Sequence, residues 1–145
     1  MATTVTESVV VRRMVHEIAK SATDPDVVLP LMGGLGRFQH IDTHDDGTQH
    51  WDVFLDIGSL HVGGRVEVRS AGEHSLVWSS TRGTRHDARI DISAQGDDSV
   101  ITMELTVEFA GAITGRVTEL LSRGIVGRHL QAGLQQLRHH LEFEV

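Results

Sequence analysis

The sequence predicts an α+β fold. A curved antiparallel sheet of about seven strands wraps around a long C-terminal helix, with short helices after strand one. Three observations predict it. From Arg37 to Phe109 apolar and polar residues alternate with a period of two. Only tight turns separate these runs, and a parallel connection needs a crossover of a dozen or more residues, so neighbouring strands are antiparallel. From Ala112 to Glu142 the chain carries no proline and repeats apolar residues at helical spacing.

The elements follow in order. Met1 to Thr6 reads as a frayed start. Ser8 to Ile18, with Val9, Val10, Val11, Met14, Val15 and Ile18, reads as strand one, although its C-terminal half also suits a helix. Ser21-Ala22-Thr23-Asp24-Pro25 is a helix start: Thr23 or Asp24 caps, and Pro25 fits the first turn, where its missing N–H has no partner. Asp26 to Met32 follows, with Pro30 expected to split it into two broken turns. Gly33-Gly34-Leu35-Gly36 connects it to the sheet.

Arg37 to His44 and Gln49 to Ile57 form a hairpin around Asp45-Asp46-Gly47. A uniform register sets Ile41 opposite Trp51, Phe38 opposite Phe54, His40 opposite Asp52 and Asp42 opposite His50. Leu60 to Ser70, Ser75 to Thr81, Arg85 to Ser93 and Val100 to Phe109 continue the meander. The expected long helix has two apolar stripes. Ile113, Val117, Leu120, Leu121 and Gly124 form one; Val126, Leu130, Leu134, Leu137 and Leu141 form the other. The stripes stand about a quarter-turn apart. Gly124 and Gly127 weaken the helix by roughly 1 kcal/mol each at the change, so a bend is expected there.

Composition narrows the class. A chain of 145 residues, 39% hydrophobic, suits a single domain, 1–145, with a sizeable core. No run reaches membrane-spanning length, so stable membrane insertion is not expected. Met1 to Ser8 lacks a basic start followed by an apolar block, the mark of a secretory signal. There is no cysteine, hence no disulfide, thiolate zinc site or cysteine nucleophile. These features point to the cytoplasm. A formal charge of −7 argues against nucleic acid as a partner. Gly33-Gly34-Leu35-Gly36 lacks the lysine of a phosphate loop, and no cofactor is expected. Arg138-His139-His140 complements the dipole at the helix end.

The order of elements resembles the helix-grip fold of the START-like, or SRPBCC, superfamily, in particular its polyketide cyclase/dehydrase and lipid-transport group. Four stretches carry the resemblance: Val9 to Ile18 followed by Ala22-Thr23-Asp24-Pro25-Asp26-Val27-Val28; Asp45-Asp46-Gly47-Thr48 followed by Trp51; Asp98-Ser99-Val100-Ile101-Thr102-Met103-Glu104; and Leu130-Gln131-Ala132-Gly133-Leu134-Gln135-Gln136-Leu137-Arg138. The chain departs from the pattern at Leu31-Met32-Gly33-Gly34, where the family often has a tryptophan. The resemblance implies an apolar cavity between sheet and helix. It implies no single activity, because the fold hosts carriers, cyclases, hydratases and protein-binding modules.

Three candidate sites emerge. The first is the covered face: Trp51, Val53, Leu55, Val66, Trp78, His86, Ile90, Met103, Leu105 and Phe109, with Val117, Leu120, Leu121 and Gly124 from the helix. It forms either a filled core or the wall of a ligand cavity. The second is His86, which could bond a ligand carbonyl or move a proton at neutral pH. The plainer reading is a rim histidine paired with backbone. Arg82 and Arg85 beside it could bind a carboxylate, with Arg85 a second anchor, though arginines at a turn are ordinarily solvated. The third is the face His40, Asp42, His44, His50, Asp52, whose nitrogen and oxygen atoms could hold a divalent ion. The plainer reading, a solvated ladder of polar pairs, is preferred, so no metal site is expected. Phe38 and Phe54 on that face form an exposed aromatic pair, a candidate dimer or partner patch.

The leading functional expectation is binding of a hydrophobic small molecule, such as a lipid or polyketide, with His86 as anchor. One alternative is a cyclase or dehydratase in which His86 is the acid/base. The other is a protein-interaction or regulatory module.

Overall fold

Alternation builds the sheet. The computed structural model describes residues 2–58, 60–108 and 124–145. Its strands are β1 (Ala2–Val11), β2 (Gly36–Thr43), β3 (Gln49–Ile57), β4 (Leu60–Ser70), β5 (Ser75–Gly83), β6 (His86–Gln95) and β7 (Asp98–Glu108). All pair antiparallel, in the order β1-β7-β6-β5-β4-β3-β2. The helices are α1 (Val15–Ala22), α2 (Pro25–Leu31) and α3 (Ile125–Phe143). The fold class expected from the sequence is therefore the one observed. No helix among the described residues is long and apolar enough to cross a membrane.

The beginning of the chain corrects two expectations. Ala2 to Thr6 is not frayed: β1 pairs with β7 from Ala2↔Glu108 to Val11↔Ser99. Hydroxyl pairs support the ladder on its outer face, Thr4 with Thr106 at 2.9 Å and Ser8 with Thr102 at 3.0 Å. The strand also ends earlier than expected, at Val11, and Val15 to Ile18 takes the helical alternative that its sequence left open. The Glu17 carboxylate accepts the Met14 N–H at 3.1 Å, one half of a capping box. The Arg13 guanidinium holds the same carboxylate at 3.0 Å. These contacts, with burial of Ile18 and Ala22, outweigh the strand preference of Val15 and Ile18.

In α2, Asp24 is the cap, accepting the Asp26 N–H at 3.0 Å. Pro30 does not split this helix, which runs unbroken from Pro25 to Leu31. Its proline lies one residue from the end, so it removes one ladder hydrogen bond, that to Asp26, with no further turn beyond it to break.

The β2–β3 hairpin departs from a uniform register. Asp42↔His50 pairs as expected, but a bulge at Ile41 shifts everything before it, giving His40↔Trp51 and Phe38↔Val53. The one extra residue moves the preceding side chains to the opposite face. Phe38 and His40 thus lie on the concave face, and the expected exposed Phe38–Phe54 pair does not form. Phe54 alone is exposed, with the Arg37 guanidinium 5.4 Å from its ring centre.

Helix α3 packs against β1 and the short helices. It buries Val126, Leu130, Leu134, Leu137 and Leu141, the second stripe expected from the sequence. Gly133 lets α2 approach: a Cβ there would stand 2.9 Å from Met32 Cε. The irregularity expected near Gly124 to Gly127 falls at Gly124. Gly124 adopts φ +67° and sits at the helix N-terminus, so α3 begins at Ile125. This is a left-handed conformation that glycine takes without strain. The first stripe, Ile113 to Leu121, lies outside the described residues.

Candidate functional site

The concave face is a nearly continuous apolar wall. Trp51, Val53, Leu55, Val66, Trp78, Ile90, Met103 and Leu105 are all buried, as is His86. Nine of the predicted lining residues therefore share one side of the sheet. Phe109, Val117, Leu120 and Leu121 fall outside the described residues. Gly124 is exposed at the start of α3, with nothing within 4 Å of where a Cβ would stand. Sequence reasoning missed Phe38. From edge strand β2 it reaches over the concave face to the Trp78 ring, at 6.0 Å between centres and 75° between planes. The Ile41 bulge that sends it there has no signature in the alternation.

His86 opens β6, and its place follows from the turn before it. Gly83 has φ +87°, and a Cβ there would stand 2.3 Å from the Gly63 carbonyl oxygen, so only glycine lets β4 and β5 approach this closely. The chain turns at Thr84, and β6 then alternates with His86, Ala88, Ile90 and Ile92 inward. The His86 N–H donates to Ser80 Oγ at 3.1 Å. Its ring Nδ1 lies 2.9 Å from the Thr84 carbonyl. A carbonyl only accepts, so Nδ1 carries the hydrogen and Nε2 presents a lone pair. The ring is only 1% exposed, so His86 is an interior residue rather than a rim one, although it does pair with backbone. Burial pushes the imidazole below its ordinary pKa of 6.5, against the opposing pull of the Thr84 carbonyl and the Asp87 charge. The ring is therefore neutral at pH 7.

Among the described residues, two buried atoms in this wall have no hydrogen-bond partner: His86 Nε2 and Trp78 Nε1. Trp78 pairs with Ala88, and His86 lies two residues earlier on the same strand and face, so the two are diagonal neighbours. The other tryptophan differs. Trp51 Nε1 donates to Gln49 Oε1 at 2.7 Å, and Gln49 reaches Asp26 at 3.4 Å. One indole N–H is satisfied within the fold, and the other is buried without a partner among the described residues.

The arginines beside His86 do not join it. Arg85 is exposed on the outer face, 3.6 Å from Glu108, and Arg82 is exposed as well. Arg85 is therefore no anchor for a ligand in the interior. The expected polar face of the hairpin is divided. His40 bonds Thr43 Oγ1 at 2.8 Å and stacks edge-on against Trp51 at 5.3 Å. Asp52 is held by the Arg65 guanidinium at 3.0 Å. Only Asp42, His44 and His50 converge.

No family model matches the chain, and no curated protein matches it in sequence. Solved structures do match. A Thermus thermophilus protein, TTHA0849, superposes with a TM-score of 0.77 at 13% identity, covering 96% of this chain and 97% of its own. The Zhui aromatase/cyclase from Streptomyces sp. R1128 gives 0.67 at 11% identity, over 98% and 94% of the two chains. A START superfamily protein from Mycobacterium smegmatis gives 0.57 at 18% identity, over 88% and 97%. With the sheet order and the C-terminal helix, these likenesses define a START-like, helix-grip fold. At such identities they speak for the fold alone.

Proposed function

We propose that this protein binds a mostly apolar small molecule carrying a hydroxyl or carbonyl group, a lipid, polyketide or other ring compound, between the concave face of the sheet and the C-terminal part of the chain. One observation carries the reading: a wall of apolar side chains holds two buried polar atoms with no partner among the described residues. A buried group left without a hydrogen bond costs about 1–3 kcal/mol. Two neighbouring ones of complementary kind are well accounted for by a guest that completes them. His86 Nε2 accepts from a ligand hydroxyl, and Trp78 Nε1–H donates to a ligand oxygen. Phe38 supplies an aromatic edge over the same place. The likeness to an aromatase/cyclase fold adds support. The reading keeps the cytoplasmic setting inferred from the sequence. Nucleic acid is not a partner in it, since a charge of −7 repels phosphates.

Binding is favoured over turnover for a physical reason. Acid–base catalysis needs a positioned partner, and among the described residues the other buried polar ones, Gln49, Ser75 and Ser99, cannot exchange a proton near neutral pH. Native mass spectrometry of the purified protein tests the reading. A co-purified small molecule retained by the wild type and lost from His86→Phe supports it. A protein that carries nothing and takes up no hydroxylated aromatic probe contradicts it.

A further inference from the structure

At the far end of the β2–β3 hairpin three ligand atoms meet. Asp42 Oδ1 lies 2.8 Å from His50 Nδ1 and 3.6 Å from His44 Nε2. His44 Nε2 lies 2.9 Å from His50 Nδ1. The backbone brings them together. Asp42 and His50 are cross-strand partners beyond the bulge, and His44 follows two residues later. The turn is closed by the His44 N–H to the Thr48 carbonyl at 2.8 Å and by Asp46 Oδ1 accepting the Thr48 N–H at 2.9 Å.

The cluster is short of protons. A carboxylate oxygen offers only lone pairs, and each neutral imidazole carries one ring hydrogen. His50 Nδ1 stands within bonding distance of two atoms yet can hold a single hydrogen. If both facing ring nitrogens carry hydrogen, two N–H groups meet at 2.9 Å; if either does not, lone pairs are left facing one another, and a cation among the three atoms resolves both conflicts. The spacing suits one. Ligand atoms about 2.0–2.1 Å from a tetrahedral ion stand roughly 3.3 Å from one another. An ion that far from all three atoms would sit about 1 Å outside their plane, leaving its fourth position open to solvent. Two imidazoles and a carboxylate select the zinc class of divalent ions over magnesium or calcium, which prefer all-oxygen sets.

We propose that Asp42, His44 and His50 form a binding site for one divalent transition-metal ion of the zinc class. Bound there, the ion clips β2 to β3 beyond the Ile41 bulge. It thereby steadies the edge strand that delivers Phe38 to the concave face. The site is independent of His86 and of any ligand in the interior.

Isothermal titration with zinc chloride, and cobalt(II) substitution followed by visible absorption, test it in three proteins: wild type, His44→Ala/His50→Ala and His139→Ala/His140→Ala. The last removes the chain's adjacent histidine pair, of which His140 is bonded to Glu144 at 2.9 Å. The wild type and the His139/His140 variant should bind one ion with the intense cobalt bands of a four-coordinate site. The His44/His50 variant should bind at least ~100-fold more weakly, since losing even an outer partner of a ligand costs 10–100-fold. Circular dichroism checks that each variant is folded. In the wild type, zinc should also shift the ring ¹⁵N signals of His44 and His50 and spare that of His86. Absence of saturable binding by the wild type, or unchanged binding by the His44/His50 variant, overturns the proposal.

Discussion

Two groups of histidines in this molecule receive opposite environments from the same sheet. His86 is sealed in the concave wall, with one ring nitrogen tied to backbone and the other without a partner among the described residues. His44 and His50 stand at the hairpin tip, where solvent reaches the cluster and a carboxylate lies 2.8 Å from His50. Burial holds the first ring neutral and makes it an acceptor for a guest. Proximity at the tip gathers lone pairs that favour a cation. A histidine's type therefore says little about its chemistry. What decides it is how much water reaches the ring and which atoms face each nitrogen.

The largest effects should separate the two regions by their part in the fold. Leu134→Ala removes a fully buried side chain from α3 and should lower unfolding free energy in urea by about 2–5 kcal/mol. In metal-free protein, His44→Ala/His50→Ala should stay within about 0.5 kcal/mol of wild type by the same measurement. A large loss at the tip would mean that the hairpin is part of the folding core and would erase the contrast.

A smaller effect is expected at the start of α3. Gly124→Ala forces a Cβ into a left-handed backbone at φ +67° and should cost about 1–2 kcal/mol in thermal unfolding. No change would mean that the residue is free to adopt another conformation.

Acid should then sharpen the contrast. The folded-state pKa of His86 lies below 6.5, so as pH falls the unfolded chain takes up its proton first. Stability at this site is complete above about pH 6.5 and declines as pH drops below that value. His86→Phe should flatten this part of the stability–pH curve between pH 7 and 5, measured by urea midpoints. An unchanged slope would place the acid sensitivity elsewhere. Below about pH 4 the carboxylates of Glu17, Asp42 and Asp46, each held below its ordinary value by hydrogen bonds, add losses of their own.

The regular parts of this architecture were readable from residues because burial writes a period into them. Trp51 to Ile57 and Ile101 to Val107 alternate so cleanly that their inward faces needed no coordinates. Leu130, Leu134, Leu137 and Leu141 did the same for the helix. The failures are places where period carries no information. A bulge inserts one residue without altering the composition around it, so Ile41 hid the shift of Phe38 and His40 to the Trp51 side of the sheet. Val15 to Ile18 favours strand by residue type, but the backbone contact of Glu17 and the burial of Ile18 make it helix. Ala2 to Thr6 stands at a chain start, where fraying is the ordinary expectation. An edge strand can nevertheless be held by its ladder and by hydroxyl pairs. The candidate site divides in the same way. His86 was found by its inward parity. Alternation named Asp42, His44 and His50 among five polar candidates, but which three converge, and the want of partners for His86 Nε2 and Trp78 Nε1 among the described residues, are properties of side-chain position.

The two tryptophans allow the ligand proposal to be tested within one spectrum. In a ¹H–¹⁵N correlation experiment on labelled protein, 2-naphthol serves as a hydroxylated aromatic probe, with naphthalene as its counterpart lacking the hydroxyl. The Trp78 indole signal should shift saturably with 2-naphthol, while that of Trp51, already bonded to Gln49 at 2.7 Å, should stay nearly still. Naphthalene, or 2-naphthol with His86→Phe, should bind roughly tenfold more weakly, the worth of about one hydrogen bond. A Trp78 signal that does not move, or binding indifferent to both the hydroxyl and His86, would contradict a guest anchored between the sheet and the C-terminal part of the chain.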